Sequence, residues 1–412
     1  MALRNERLER ALDRVSAEVS KRPVESSLAA AAVVTFAVVL KMRRAKKIQM
    51  ARDSNDFNDT IQGSLSMLSN SDSVLQRDEV KDCIDGYEGL FAGARKATGA
   101  ITTEESIAKR QSEYQKMINS FYNLVTDFYE WGWGPSFHFA PRVVGEGFME
   151  SIKRAEYHLC SRLGMKPGMR VLDVGCGVGG PMRHMCQFSG ASIDGITINQ
   201  YQVNVGNKYN ERKGLADLCK LIQGDFQKQP FEDATFDAAY AIEATCHSPD
   251  KVQCFSEVAR VLKPGCCFAG YEWVVLPGKF DPEDKDHVRI KEGIEVGNGL
   301  PTLVYPEDVV AALEAAGFEV LDHYDANREV HSPHQVPWYA TLGGSMTLSG
   351  FRMTRFGRAC THALVFTLET LRVAPRGSTQ VSALLNATAI DLVDGGRRQI
   401  FTPSYFFVAR KK

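Results

Sequence analysis

The sequence predicts an α/β protein built on a doubly wound, mostly parallel sheet. Three observations predict it. The run "RVLDVGCGVGG" at 170–180 reads as a short apolar strand passing directly into a glycine-rich turn. The runs "ASIDGITI", "CKLIQGDF", "FDAAYAIEA" and "CCFAGYEWVV" follow at strand length. Helical patterns such as "DKVQCFSEVARVLKPG" lie between them, and strands alternating with helices imply parallel crossover units.

Ahead of the sheet, Thr102 or Thr103 reads as a helix N-cap with acids in the first turn. Apolar residues then recur at helical spacing at Tyr114, Met117, Ile118, Phe121, Leu124, Val125 and Phe128. The stretch "YEWGWGPSFHFAPR" at 129–142 follows; its two glycines and two prolines make it a poor helix and a poor strand, so it reads as a loop. A second helix is expected over about 147–163, ending near "KPGM".

The N-terminus differs. "VESSLAAAAVVTFAVVL" at 24–40 is apolar after Glu25 and precedes "KMRRAKK". As a helix, the part from Ser26 spans roughly 20–25 Å, short of a hydrocarbon core of about 30 Å, and snorkelling of Lys21, Arg22, Lys41, Arg43 and Arg44 can close the gap. A membrane anchor with its basic side in the cytosol, a cleaved targeting segment and a peripheral amphipathic helix remain alternatives. Residues 53–74 are polar and read as a spacer.

At 412 residues and 44% hydrophobic the chain can bury a sizeable core, and its net charge of −1 points to no nucleic-acid partner. The ten cysteines contain no Cys-x-x-Cys pair and the nine histidines show no metal-ligand spacing, so free thiols in a reducing compartment and no metal are expected. His323, His331, His334 and His362 read as surface or packing residues.

Ligands of such sheets bind at the carboxyl ends of the strands. "GCGVGG" satisfies G-x-G-x-x-G, but a nicotinamide site wants an acid after the second strand, where Thr197 stands. Acids lie instead at Asp173 and Asp225. "VLDVGCG", "GDF" and "RVLKPG" together resemble the S-adenosylmethionine-dependent methyltransferases with a Rossmann-like sheet. On that reading Gly175, Cys176, Gly177 and Gly179 approach the cofactor through backbone N–H groups, Asp173 accepts from its ammonium or orients the turn, and Asn199, Gln200, Asp225 and Phe226 complete the site.

The aromatic stretch suggests what is methylated. An alkene attacking a sulfonium methyl moves positive charge onto substrate carbon. Each desolvated cation–π contact stabilises such a charge by up to about 2 kcal/mol, and about 1.4 kcal/mol is tenfold in rate. Tyr129, Trp131, Trp133 and Phe137 around Glu130 suit that task, with His138 beside them and Glu243 and His247 in "AIEATCHSPD" as an opposite wall.

"YEWGWGPSFHFAPR", "LDVGCGVGGP", "YAIEATCHSPD", "GYEWVV", "GNGLP" and "VDGGRRQIFTPSYFFVARK" resemble the sterol C-methyltransferases that alkylate side-chain carbon 24, most closely the plant and green-algal branch. The likeness runs from about residue 114 to the C-terminus. It implies a class I methyltransferase sheet, cycloartenol or a 24-methylene sterol as substrate, and catalytic residues among Tyr129, Glu130, Glu243 and His247, with the base left open. It also implies an endoplasmic-reticulum membrane location, the catalytic domain facing the cytosol; a homo-oligomer is left open. The domains then read as an anchor and linker (1–95), an aromatic lid (96–165), the cofactor-binding sheet (166–335) and a C-terminal sterol segment (336–412). Two residues depart from the family pattern: Gln200 stands where a glutamate is common, and Asn298 where relatives read "GDGLP". In the C-terminal segment, helical stretches are expected at Phe351 and at 361–371, then a turn at "VDGG" and an antiparallel edge strand at "SYFFVAR".

Overall fold

The computed structural model describes residues 75–91, 103–328, 334–343 and 354–412. The apolar run at 24–40, the spacer at 53–74, and Phe351 lie outside the described residues. Among the described residues no helix is long and apolar enough to cross a membrane.

Helices α1 (Glu79–Gly89), α2 (Glu104–Ser112) and α3 (Tyr114–Trp133) precede the sheet. Thr103 caps α2, its hydroxyl accepting from the Ser106 N–H at 3.1 Å. The aromatic stretch departs from expectation: residues 129–133 are helical, Gly132 included. Met117, Phe121, Leu124 and Val125 bury one side of α3 against Tyr87 and Phe91. Such packing outweighs the roughly 1 kcal/mol that one helical glycine costs. Gly134, at φ 97°, and Pro135 then end the helix, so the loop is confined to 134–141.

Next come β1 (Arg142–Val143) and α4 (Phe148–Arg162), followed by β2 (Arg170–Val174), α5 (Gly180–Ser189), β3 (Ser192–Thr197), α6 (Gln200–Arg212), β4 (Cys219–Gln223) and β5 (Phe236–Ile242). A short turn of 3-10 helix (Thr245–His247), α7 (Lys251–Val261) and β6 (Leu262–Val275) complete the expected alternation. The remainder is α8 (Lys285–Asn298), α9 (Pro306–Ala315), β7 (Phe318–Asp325), β8 (Gln335–Val336), α10 (Ala340–Gly343), α11 (Arg355–Thr370), α12 (Ser378–Arg397) and β9 (Phe401–Lys411).

The main sheet has the order β4-β3-β2-β5-β6-β9-β7. Strands β2 to β6 run parallel, and β9 is antiparallel to both of its neighbours. The order reverses between β2 and β5, which opens a crevice beyond their carboxyl ends.

The antiparallel sense of β9 agrees with the sequence reading; its edge position does not. β9 lies between β6 and β7, and β7 is the edge. Tyr405, Phe406, Phe407, Val408 and Ala409 are consecutive and all buried, the unbroken apolar run of a strand covered on both faces. Past the buried Phe318, β7 alternates exposed and half-buried residues and carries Glu319 and Asp322, as an edge does. "VDGG" is not a turn either: it closes α12. A Cβ on Gly396 would lie 2.2 Å from Tyr339 Cδ1, so this glycine serves close packing inside a helix. Phe139, Trp273, Ile294, Trp338, Leu392 and Phe401 form one cluster that ties the aromatic loop, β6 and α8 to the C-terminal segment.

Candidate active site

Two cavities meet at the crevice. The smaller, about 70 Å³, lies over the glycine turn between β2 and α5. Gly175 sits at φ 81°, and a Cβ there would lie 2.4 Å from the Ala244 Cβ. Gly177, Cys176 and Phe226 line the same space. Gly179, at φ 76°, is the N-cap of α5. The aromatic loop closes directly on this turn: a Cβ on Gly180 would stand 2.2 Å from the Pro135 carbonyl oxygen.

Asp173, at the end of β2, is buried and accepts from the Tyr240 hydroxyl at 2.8 Å. Burial pushes its carboxyl up to about 7, against the opposing pull of that hydrogen bond. A buried acid so short of positive charge fits a ligand ammonium. Asp225 ends the β4 segment. Its carboxylate accepts from the Gln227 N–H (2.8 Å), from Gln115 Nε2 (2.6 Å) and from the Tyr114 hydroxyl. The first turn of α3 therefore caps the Asp225 end of the cavity.

Asn199 and Gln200 fall elsewhere. Asn199 caps α6 and donates to Asn123 Oδ1 at 2.6 Å, while Gln200 is exposed and bonds Asn204 at 2.7 Å. The cavity is lined instead by Thr197, Ile198 and Gln202, with Thr197 donating to Gln202 Oε1 at 2.7 Å. Where the sequence reading notes the lack of an acid after the second strand of the sheet, the cavity presents this Thr–Gln pair.

The larger cavity, about 200 Å³, is apolar. One face of α3 supplies Phe121, Tyr122, Phe128, Tyr129 and Trp133; Phe139 and Trp273 continue the wall, and α12 adds Leu385, Ala389 and Leu392. The rings brace one another edge to face: Tyr129 to Phe137 at 5.6 Å, Trp133 to Phe139 at 4.9 Å. Trp133 Nε1 donates to the His138 carbonyl at 2.8 Å. Trp131 lies in the last turn of α3. Glu130 is buried on the same helix but lines neither of these cavities. Asn298 accepts from the Tyr129 hydroxyl (3.3 Å) and donates to the Ile294 carbonyl (2.8 Å), the second of which a carboxylate could not do.

Tyr122, Phe137, His138, Glu243 and His247 line both cavities. Glu243 follows β5 at φ 53°, a conformation that costs a non-glycine residue about 1 kcal/mol or more. Its carboxylate accepts from the Phe139 N–H and from Trp273 Nε1, both at 2.8 Å. Burial nonetheless pushes it up to about 8. His247 Nδ1 lies 3.1 Å from the Gly299 carbonyl, which only accepts, so Nδ1 carries the proton and Nε2 accepts from the Tyr122 hydroxyl at 2.9 Å. Burial lowers His247 to about 4, so it is neutral at physiological pH.

His138 is the opposite case. Its ring nitrogens face the Phe139 carbonyl (2.7 Å) and Glu156 Oε1 (3.2 Å), an arrangement suited to an imidazolium. Burial opposes that charge, yet Glu156 outweighs it and His138 titrates above its usual range. Glu156 also accepts from Ser136 (2.9 Å) and pairs with His184 (2.7 Å); burial raises its carboxyl, but the two histidines win and hold it at about 2. Sequence reasoning missed Tyr122, Glu156 and Trp273. Tyr122 sits one residue after Phe121 in the apolar stripe, and nothing in its spacing sets it apart from core.

Residues 348–412 match the family model described as sterol methyltransferase C-terminal, and residues 172–269 match the methyltransferase domain model. Cycloartenol-C-24-methyltransferase 1 of Oryza sativa subsp. japonica is 47% identical, with 85% of this chain and 98% of that protein covered. The cycloartenol-C-24-methyltransferase of Arabidopsis thaliana is 45% identical (84% and 99% covered), and the sterol 24-C-methyltransferase of Saccharomyces cerevisiae 38% (89% and 94%). Among solved structures, the cyclopropane synthase MmaA2 of Mycobacterium tuberculosis is similar with TM-score 0.55 at 15% identity, covering 71% of this chain and 97% of that one. The [4+2]-cyclase SpnF gives 0.53 at 23%, covering 72% and 96%. These two speak for the fold, a class I methyltransferase α/β sheet. Sheet and C-terminal segment thus have relatives of one kind, and the chain belongs to the sterol 24-C-methyltransferase family, whose methyl donor is S-adenosyl-L-methionine.

Proposed function

We propose that the chain methylates the side-chain double bond at carbon 24 of a sterol, cycloartenol or a 24-methylene sterol, in phytosterol- or ergosterol-type biosynthesis. The observation that carries this is the wall of five residues common to the cavity over the glycine turn and the larger apolar one. Asp173, the glycine turn and Asp225 hold the donor, which supplies an electrophilic methyl group on a sulfonium. The apolar cavity holds the sterol side chain with its double bond against the shared wall. With cycloartenol the alkene electron pair would form the new bond to carbon 24 as the sulfur–methyl bond breaks and its electron pair stays on sulfur, and the charge would pass to carbon 25; with a 24-methylene sterol the methyl would join the methylene carbon and the charge would fall on carbon 24. Glu243 and the π faces of Tyr129, Trp133 and Phe137 stabilise that cation. In cycloartenol a hydride then moves from carbon 24 to carbon 25, and with either sterol a proton leaves to regenerate an alkene. The Tyr122–His247 pair suits that last step: the hydroxyl oxygen takes the proton as its own passes to His247 Nε2. Arg358, Thr361, Ser382 and Asn386 supply polar groups from α11 and α12 that can meet the 3-hydroxyl.

An endoplasmic-reticulum location facing the cytosol is supported by the apolar run at 24–40 and the basic residues behind it. A methyltransferase for another membrane lipid, a tocopherol-type phenol or a phospho-base, fits less well, since a phosphate would want several cations and Arg358 is the one Lys or Arg among the described lining. The test is label transfer from S-adenosylmethionine to cycloartenol, a 24-methylene sterol and the matching saturated sterol. Label in an unsaturated sterol alone supports the proposal. Label in none of them, with donor binding intact, sinks it.

A further inference from the structure

Helix α11 is built the wrong way round for a water-facing surface. Its outward side carries Ala359, Cys360, Ala363, Leu364, Phe366, Thr367, Thr370 and, just beyond, Leu371, all exposed. Leu364 is 57% exposed, Phe366 58% and Leu371 67%. A surface helix normally turns charge to solvent. Here the charged groups between the helix ends, and several polar ones, face inward instead. Arg358 and Thr361 line the apolar cavity, and His362 bonds the Ser382 hydroxyl at 3.1 Å. Glu369 accepts from the Gly377 and Thr379 N–H groups at 2.9 and 2.7 Å, capping α12.

The ends of the stripe are basic. Arg355 is exposed at one end, and Arg372 and Arg376 at the other. Arg77 joins them, its guanidinium donating to the Arg372 and Val373 carbonyls at 2.8 and 2.6 Å. The single acid of α11, Glu369, is already engaged. An apolar stripe between basic ends is complementary to acyl chains beneath anionic headgroups.

We infer that the outer face of α11 docks on an anionic lipid bilayer, so that the sterol passes from the lipid phase into the cavity that the same helix lines. This contact is separate from any anchor at the N-terminus. It rests on the sterol reading of the cavity, since a water-soluble substrate would give docking no purpose.

Cys360 lies in the stripe and is the only exposed cysteine of the ten, so it reports the contact in the full-length chain. The measurement is the rate of its modification by a membrane-impermeant maleimide. Phosphatidylcholine vesicles containing phosphatidylserine are expected to slow that rate by about tenfold or more, with less effect from phosphatidylcholine alone. A chain that sediments with the vesicles while Cys360 reacts at full rate is held by its N-terminus only and overturns the docking. Protection that grows with protein concentration in the absence of lipid also overturns it, and assigns the face to a second copy. In parallel, Leu364→Glu combined with Phe366→Glu should lower methylation of vesicle-borne sterol by about tenfold and leave cyclodextrin-delivered sterol unaffected. Equal rates with both deliveries refute docking; wild-type inactivity with both refutes the sterol reading instead.

Discussion

Asp173 should make donor binding depend on pH within the neutral range, where an ordinary surface carboxylate, fully ionised throughout, gives no dependence. Its carboxyl is buried with one hydrogen bond, from Tyr240, and burial lifts it from 3.8 to about 7. Three units correspond to a cost of about 4 kcal/mol for holding the ionised form without a cation. A ligand ammonium removes that cost, so the ligand selects the carboxylate. The sign follows: above about pH 7 the acid is ready, and below it a proton must leave first. Affinity should therefore weaken through Asp173 by about tenfold between pH 8 and pH 6, with close to one proton released from Asp173 on binding at pH 6; the demethylated product, which has no sulfonium to ionise Glu243, isolates this contribution, and S-adenosylmethionine should show a steeper slope. Isothermal titration in two buffers of different ionisation enthalpy measures both. Asp173→Asn should bind the demethylated product more weakly at pH 8 and lose most of its slope. An affinity that stays flat from pH 6 to 8 in the native chain refutes the reasoning, and a slope undiminished in Asp173→Asn transfers the proton to Glu243, which titrates at about 8.

Trp133→Ala should lower kcat by up to about 30-fold, the equivalent of one desolvated cation–π contact, and leave donor affinity unchanged; a parallel loss of both would make the ring structural. Tyr122→Phe removes the hydroxyl partner of His247 Nε2 and should slow turnover while diverting product to a side-chain alcohol, as water captures the cation that keeps its proton; mass spectrometry of the sterol products detects it. Gly180→Ala forces a Cβ to within 2.2 Å of the Pro135 carbonyl, so it should lower Tm and weaken donor and sterol binding together. Asn298→Asp gives up the bond to the Ile294 carbonyl and should cost about 1–3 kcal/mol in a denaturant titration.

The sheet was legible because its signals are local. Apolar runs, the glycine turn and the acids at Asp173 and Asp225 each sit within a few residues of the features that reveal them. The errors came where tertiary packing outvoted local preference. Gly132 and the pair Gly395–Gly396 read as chain breaks, yet all three are helical, and Gly396 is there because Tyr339 packs against it. The position of β9 needed the recognition that five consecutive apolar residues imply cover on both faces. Glu130 was paired with the aromatic rings by adjacency in sequence, but a helix separates successive side chains by about 100°, which puts Glu130 off the face that Tyr129 and Trp133 share.

The charges explain why two cavities must share one wall. Glu243 and His247, both fully enclosed, are driven towards neutrality by burial, to about 8 and about 4, and only a cation beside them makes an ionised Glu243 favourable. The donor brings that cation, and methyl transfer moves it through the wall without creating or destroying charge. One carboxylate, held by Phe139 and Trp273 in a strained conformation, can thus serve the sulfonium before transfer and the carbocation after it. His138 must then stay paired with Glu156, because an unpaired imidazolium in the same wall would repel both. Glu156→Gln removes the charge that holds the His138 proton against burial, so His138 should be neutral in the neutral range and kcat should fall only at low pH, where the imidazolium forms without its partner. Activity restored at higher pH, where His138 loses its proton, would identify the imidazolium as the cause; loss at every pH would make Glu156 a packing residue.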